Sequence, residues 1–316
     1  MTDFSYPDII AYAVPAFLAL ILIEIVVARR TGRGRFEAND SATSLIMGFG
    51  SEIAPLIGGG AIVAAVFFAA YEFRLATIPN LWWTVILCFV IDDLRYYWWH
   101  RISHERRFFW ASHVIHHSSQ HYNLTTALRQ TWTGQVTGQI LFRTPLVFVG
   151  FHPAMVFFVG AVNLLYQFWI HTELIKRMGP FEIIFNTPSH HRVHHATNPK
   201  YLDANYAGTL IIWDKIFGTF VPEDDAERPR YGIIKNLGTF NPIIVAFHEW
   251  IGIAKDLVSA RSLREMGGYL FGPPGWSPDG SRMTSAKIKE RWVAIHGNKS
   301  AGDPQGTPET LINPAE

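Results

Sequence analysis

The composition of this 316-residue chain favours a membrane protein. Hydrophobic residues make up 49% of the sequence, aromatic residues 14%, and the mean hydropathy is +0.11, which is more apolar than an ordinary soluble domain. The formal net charge of +1 gives no indication of a nucleic-acid partner. Cys88 is the sole cysteine, so the chain by itself has neither a disulfide framework nor a thiolate metal site.

Three long apolar segments precede the first histidines. Residues 9–28 form a run broken only by Glu24, long enough to cross a hydrocarbon core. Four arginines between residues 29 and 35 predict that this end lies in the cytoplasm. A second segment, 44–71, contains glycines at 58–60, where we expect tilt or a break. A third starts near residue 81 and ends in the aromatic residues 96–99.

A hairpin completes the predicted membrane region. Its arms are residues 134–150 and 154–170, joined by a Phe-His-Pro turn. If the N-terminus is outside, the first three spans bring the chain to the cytoplasmic side, where the first two histidine patterns follow. The hairpin crosses the membrane twice and returns the chain to the same side, so every clustered histidine faces the cytoplasm. We therefore predict an all-α fold. It is an integral membrane helical bundle of about four to five spans with a cytoplasmic, histidine-rich helical cap, in a bacterial inner membrane or the endoplasmic reticulum.

The chain divides into four predicted regions. Residues 1–80 hold the N-terminal transmembrane helices, and residues 81–220 hold the catalytic part with its hairpin. In residues 221–297, apolar positions recur every three or four residues between 241 and 269. This spacing predicts an amphipathic helix on the membrane face or against the cap. The tail, 298–316, is polar and contains prolines, and we expect it to be disordered.

Twelve of the fourteen histidines lie between His100 and His195. They include three ordered patterns: HxxxH at 100–104, HxxHH at 113–117 and HxxHH at 191–195. On a helix, positions i, i+3 and i+4 lie on one side, so each pattern can direct two or three imidazoles at a common point. These histidines, with His171, are more than one tetrahedral ion needs and suit two neighbouring metal ions.

The type of ligand does not identify the metal, because imidazole binds iron, copper, zinc and nickel. A zinc protease of the His-Glu-x-x-His type is not indicated. Phe108 and Gly252 stand where the second histidine would follow His104 and His248. Two other classes stay open at this stage: a membrane zinc hydrolase, and a metal-binding or transport protein without chemistry of its own.

The order of the three patterns resembles the fatty acid hydroxylase and sterol desaturase superfamily of membrane non-haem diiron oxygenases. Within residues 81–220, several segments are similar to its alkylglycerol monooxygenase branch. They include DLRYYWWHRISHE at 93–105, NTPSHHRVHH at 186–195 and IWDKIFGTF at 212–220. The resemblance implies a lipid monooxygenase.

This resemblance also implies site residues and cofactors. The iron ligands would be His100, His104, His113, His116, His117, His171, His191, His194 and His195. Glu105 would act in catalysis beside them. Two iron ions would activate dioxygen to attack a C–H bond of a membrane lipid, with an electron-donor protein or a pterin such as tetrahydrobiopterin as reductant. An ether lipid is the first expectation for the substrate. Sterols, aminolipids such as ornithine lipids, and fatty acyl chains are alternatives, and desaturation starts with the same hydrogen abstraction.

We expect carboxylates to hydrogen-bond the ring N–H groups of the ligands and so fix their tautomers. The candidates are Glu105, Glu173, Asp92, Asp93 and Asp203.

Other polar residues have less specific signals. His190 and His121 are candidates for the surroundings of the metal rather than for ligands. Arg129 and Arg143 are candidates for neutralising a lipid phosphate. Glu24 and Glu52, within apolar runs, are by default functional candidates, and helix packing or an interfacial position is the alternative for either.

Overall fold

A computed structural model describes residues 5–296, which form helices and loops without a β-strand; the strand-like contacts there are isolated bridges such as Phe185 with Leu210. The predicted all-α class is confirmed. The α-helices are α1 (Ile9–Thr31), α2 (Ala38–Gly58), α3 (Gly60–Glu72), α4 (Trp82–Glu105), α5 (Arg107–His117), α6 (Leu124–Ala127), α7 (Thr144–Val149), α8 (Pro153–Trp169), α9 (Pro188–His194), α10 (Ile212–Ile216), α11 (Pro242–Ser259), α12 (Leu263–Phe271) and α13 (Ser285–His296). Two 3₁₀ helices are Gln139–Arg143 and Gly179–Ile183.

Among the described residues, α1 is the one continuous helix long and apolar enough to cross a membrane. It begins after Asp8, whose carboxylate accepts a hydrogen bond from the Ala11 N–H at 3.1 Å. It ends at Gly32, which adopts the left-handed φ of +65°. Only Ile21, Glu24 and Ala28 of this helix are buried. The outward-facing apolar side chains suit a helix in contact with lipid and support membrane association.

The second predicted span is a bent pair of helices. α2 and α3 meet at an angle of 66°, and together they have the length and composition of one broken span. Gly59 lies at the break, where a Cβ atom would come within 2.5 Å of the Gln135 Cγ. The predicted break at the glycines is confirmed.

The later predicted spans match the observed helices in part: α8 coincides with the predicted arm 154–170, and α4 begins where the third segment was predicted. α4 has 24 residues, but Asp92, Asp93 and Arg95 lie within it, and it packs against α5 and α8. The first arm of the hairpin is the short apolar helix Gln139–Val149. Its five 3₁₀ residues and six α-helical residues rise about 19 Å together, against about 30 Å for a hydrocarbon core. The number of crossings and the side of the membrane that the site faces therefore stay predictions.

The C-terminal part packs on α5. The predicted amphipathic region 241–269 consists of α11 and α12, separated by a short extended segment. Arg107 at the start of α5 binds Glu249 and Asp256 of α11 at 2.6 and 2.5 Å. Arg282 binds the same Asp256 at 2.6 Å. The tail predicted to be disordered, 298–316, lies outside the described residues.

Glu24 joins α1 to the rest of the fold. Its buried carboxylate accepts hydrogen bonds from the Leu124 N–H at 2.8 Å and from the Thr172 hydroxyl. Thr172 follows His171 directly, so this contact fixes α1 beside the histidines. These bonds account for a carboxylate within an apolar run, and we assign Glu24 a role in packing rather than in chemistry.

Replacing Glu24 with leucine should lower the unfolding temperature of the purified protein in detergent. The change leaves a buried N–H and a buried hydroxyl without an acceptor, which costs about 1–3 kcal/mol for such groups. Glu24→Gln is the matched control, because it keeps an acceptor oxygen and should lose less. An unchanged unfolding temperature for Glu24→Leu would contradict the packing role.

Candidate metal centre

Nine buried histidines form two groups of potential ligand atoms. Within each group, one ligand nitrogen from every member lies within 4.8 Å of those of the other members. Group one consists of His100, His104, His113, His117 and His194, and group two consists of His116, His171, His191 and His195. These are the nine histidines that the sequence pointed to. The two groups are in contact, since the rings of His117 and His195 stack with centroids 4.3 Å apart.

Each HxxHH pattern is divided between the groups. On α5, His113 and His117 belong to group one and His116 belongs to group two. In the second pattern, at α9, His194 belongs to group one, and His191 and His195 belong to group two. Each HxxHH pattern therefore directs two imidazoles at one group, as expected, and its third imidazole at the other group. At 3.6 residues per turn, neighbouring side chains point about 100° apart, so adjacent histidines face different centres. As a result, both HxxHH segments contribute to both groups.

Backbone carbonyl groups orient four of the rings. A carbonyl oxygen can only accept, so each of these rings carries its proton on Nδ1 and its lone pair on Nε2. The Nδ1–H groups donate to the backbone carbonyl oxygens of other residues: His100 to Tyr206 at 2.7 Å, His171 to Gln167 at 2.7 Å, His194 to Ala204 at 2.9 Å and His116 to Arg129 at 3.3 Å.

This arrangement brings lone pairs face to face, which tests whether the site fits a metal. The Nε2 atoms of His116 and His171 are 3.2 Å apart, although both rings carry their proton on Nδ1. Two lone pairs at that distance repel each other unless a cation binds them. The buried Nε2 atoms of His104 and His194 have no hydrogen-bond partner among the described residues. The donor set therefore fits metal binding through nitrogen.

Burial keeps the imidazoles neutral. Loss of solvation lowers the pKa of His194 to about 3, and loss of solvation together with repulsion from His171 lowers the pKa of His116 to about 3. Neutral imidazole is the form that binds metal ions, so both rings are ready to act as ligands at neutral pH.

Two of the predicted carboxylates lie near group one without hydrogen-bonding its rings. The Asp203 Oδ1 atom is 3.8 Å from the His104 Nδ1 atom, which is beyond hydrogen-bond reach. Glu105 pairs with Arg101 at 2.8 Å, and its side chain is 40% exposed. The prediction that these two carboxylates hydrogen-bond the rings is therefore wrong. Backbone carbonyl groups bind four of the nine rings instead.

Asp93 acts on the ligands through the backbone. Its fully buried carboxylate accepts four hydrogen bonds, three of them from the segment that follows Tyr206. The donors are the N–H groups of Thr209 and Leu210 at 2.9 and 3.0 Å, the Trp213 indole at 2.9 Å and the Asn163 amide at 2.7 Å. Asp93 therefore holds the loop whose carbonyl groups orient His100 and His194.

Asp214 has the same role, and the sequence analysis missed it. Its buried carboxylate accepts hydrogen bonds from the N–H groups of Tyr206 and Ala207, both at 2.8 Å. Burial raises the pKa of Asp214 to about 6, although these hydrogen bonds oppose the shift. The signals in the sequence were an acidic residue in a largely apolar stretch and its place in the segment IWDKIFGTF at 212–220.

Three other polar candidates lie outside both groups. His190 is 3.9 Å from Glu182, and His121 contacts Asp40 at 3.2 Å. Arg129 is 1% exposed and binds Asp40 at 2.8 Å. Because its guanidinium is held inside the protein, Arg129 does not fit the predicted contact with a lipid phosphate, and its backbone carbonyl instead orients His116.

A cavity of about 320 Å³ borders both groups. Rings of His113, His116 and His171 form part of its wall. Its apolar wall includes Ile10, Phe17, Trp99, Ala127, Leu128, Ile140, Leu164 and Phe168, and its polar wall includes Glu52, Gln130, Gln135, Gln139, Arg143 and Gln167. The cavity thus extends from the histidines to α1, α2 and α8, and its volume suits a small amphiphilic ligand.

Comparison with known proteins identifies the relatives of this chain. The sequence profile described as fatty acid hydroxylase matches residues 85–219. An alkylglycerol monooxygenase of Danio rerio is 41% identical over 306 residues, which is 96% of this chain and 67% of that protein. The Homo sapiens alkylglycerol monooxygenase is 41% identical over 282 residues, 88% of this chain and 62% of that protein. An ornithine lipid hydroxylase of Rhizobium tropici is 31% identical over 187 residues, 58% of this chain and 56% of that protein.

These matches confirm the predicted resemblance. The chain spans about two thirds of the length of the alkylglycerol monooxygenases that it matches, and no solved structure matches it. The relatives indicate an oxygen-dependent oxidoreductase that acts on lipids, as predicted, and the buried histidines in this context suggest an iron site. The chain belongs to the fatty acid hydroxylase family.

Proposed function

We propose that this protein is a dioxygen-dependent diiron monooxygenase that hydroxylates the carbon next to the ether oxygen of an alkylglycerol-type lipid. The main support is the division of nine buried imidazoles into two touching groups beside a cavity. Similarity to alkylglycerol monooxygenases covers 96% of the chain, whereas similarity to the ornithine lipid hydroxylase covers 58%. The ether lipid is therefore the first candidate substrate, and an aminolipid is the second.

Each group would hold one iron ion through Nε2 or Nδ1 atoms of its histidines. When bound, the two ions would supply the redox chemistry that activates dioxygen toward a C–H bond, with electrons from a donor protein or a pterin. The protein's own part is to keep nine rings neutral, correctly oriented and shielded from bulk water. Group one has five rings and group two has four, so the two ions would have unequal surroundings.

The cavity would position the lipid. Phe17, Leu164 and Phe168 offer an apolar surface to the alkyl chain from the side of α1 and α8. The amides of Gln135 and Gln139 can hydrogen-bond hydroxyl groups of a glycerol headgroup. A lipid held between these walls would present a methylene to the rings of both groups. Hydroxylation beside the ether oxygen gives a hemiacetal, which breaks down to an aldehyde and glycerol.

We place the centre on the cytoplasmic side of a multi-pass membrane protein. The support is the four arginines that follow α1. On that side, electron donors in the cytoplasm reach the histidines from water while the substrate enters from the bilayer.

Alanine at His116 or His194 should lower the iron content of the purified protein by about one ion per chain and abolish turnover, because each change removes a ligand from one group. Elemental analysis of protein purified from iron-supplemented cells measures the loss. His190→Ala is the matched control, since His190 is buried next to His191 but belongs to neither group. Equal loss in the control, or stoichiometric zinc with hydrolytic turnover, would overturn the assignment.

Glu105→Gln should reduce the turnover rate more than the iron content. Glu105 lies outside both groups, is partly exposed and pairs with Arg101. We propose that it acts at the outer side of group one, where protons or the reductant arrive from water. Single-turnover rates and iron analysis on the same preparation separate the two effects. Unchanged activity would remove Glu105 from the mechanism.

Membranes containing the protein should convert an alkylglycerol to a fatty aldehyde in the presence of dioxygen and a reductant. Mass spectrometry of the lipid extract detects the aldehyde. A monoacylglycerol of the same chain length is the control, because the ester lacks the reactive ether methylene. An ornithine lipid heavier by one oxygen, with no aldehyde from the alkylglycerol, would favour the second candidate instead.

A further inference from the structure

α11 exposes a row of apolar side chains, and its two carboxylates pair with Arg107 of α5. We define its apolar face by Ile243, Ile244, Phe247, Ile251 and Val258, which are 63%, 45%, 37%, 50% and 90% exposed. These positions follow each other at helical spacing, so they form one stripe. A helix on the surface of a soluble protein has the opposite arrangement, with its apolar stripe toward the core.

The other side of α11 is fixed to the catalytic part. Glu249 and Asp256 point inward and pair with Arg107 of α5. Val245 and Ala246 are buried in a hydrophobic cluster with Ile115 of α5. Because this side carries carboxylates and contacts protein along its length, α11 lies along the surface and does not cross the bilayer.

The apolar face of α11 continues onto neighbouring elements. Leu263 and Phe271 of α12 are 85% and 53% exposed. α11 also packs beside α2, where the Thr43 hydroxyl donates to the Phe240 carbonyl at 2.7 Å. On α2, Phe49 is 71% exposed and Leu56 84%. Exposed apolar side chains therefore occur on α11 and on the two helices that contact it, α12 and α2, and α2 belongs to the bent pair that has the composition of a span.

Positive charges accompany this surface. Lys255, Arg261 and Arg264 lie in α11, in the segment after it and in α12, and all three are exposed. Cationic side chains next to an apolar stripe are typical of helices that lie at a membrane interface, where they contact anionic headgroups. Charge and apolar continuity thus favour a lipid bilayer over another protein as the partner.

We propose that α11 lies in the headgroup region of the bilayer, with its apolar face inserted among the first acyl carbons. α5, on the inner side of α11, carries His113, His116 and His117. The anchor therefore holds the histidines next to the membrane surface, at the depth where the glycerol backbone of a lipid lies. This placement does not depend on which metal or substrate the centre uses.

A depth measurement tests this anchor. The variants Ile251→Cys and Phe247→Cys, each made separately in the full chain, are labelled at the introduced cysteine with an environment-sensitive fluorophore. Each labelled protein is placed in vesicles of phosphatidylcholine and phosphatidylglycerol. The vesicles contain lipids spin-labelled either near the acyl carbonyl or near the chain end. We expect blue-shifted emission and strong quenching by the shallow spin label, with weaker quenching by the deep one. Asp225→Cys, in a polar loop with a side chain 90% exposed, should emit as in water and stay unquenched.

The remaining outcomes overturn the proposal. An Ile251 label that emits as in water shows that the apolar face is not covered. A blue-shifted label that no lipid quenches shows that protein covers it, and crosslinking between Ile251→Cys chains identifies a second copy as that protein. Native Cys88 is 0% exposed, so the labelled wild-type chain serves as the blank. Unfolding temperatures equal to that of the wild type show that the variants fold.

Discussion

The hydrogen bonds between backbone carbonyl groups and histidine Nδ1 atoms are the constraint on which the rest of the centre depends. They place the lone pairs of the four rings on Nε2, among them those of His116 and His171, which face each other. Such an arrangement of neutral, buried rings is unfavourable without a cation and favourable with one. The protein thus supplies orientation from its main chain, which cannot change protonation state.

Those carbonyl groups need rigid support, and buried carboxylates supply much of it. Asp93 on the central helix α4 and Asp214 on α10 bind successive N–H groups of the loop that carries the Tyr206 and Ala204 carbonyls. Each carboxylate satisfies several donors at once, which is how an acidic group is tolerated at 0% exposure. These two carboxylates therefore orient the rings indirectly, by holding the backbone loop, and do not hydrogen-bond the rings themselves.

The same fold connects the centre to a membrane in two ways. The cavity reaches from the histidines to α1, α2 and α8, so a lipid chain can approach from the apolar side. The proposed anchor α11 holds α5, and with it three of the histidines, next to the headgroups. If α11 lies at the headgroups as proposed, the cavity and the two histidine groups lie close to the membrane surface together.

The sequence by itself determined which histidines come together and which family carries them. Spacings of three and four residues are local properties of a helix, and eight histidines in three ordered patterns are specific, whereas the isolated His171 was implied by the resemblance. Only the tertiary structure decided how the patterns divide between two groups, that carbonyl groups rather than carboxylates orient the rings, and that Arg129, Asp214 and Glu24 are held inside the protein. Those outcomes depend on contacts between residues far apart in the chain, such as Glu24 with Leu124, which no local pattern contains. The partners that allow α4 to carry the buried carboxylates of Asp92 and Asp93, among them Arg143 and Asn163, likewise lie far along the chain.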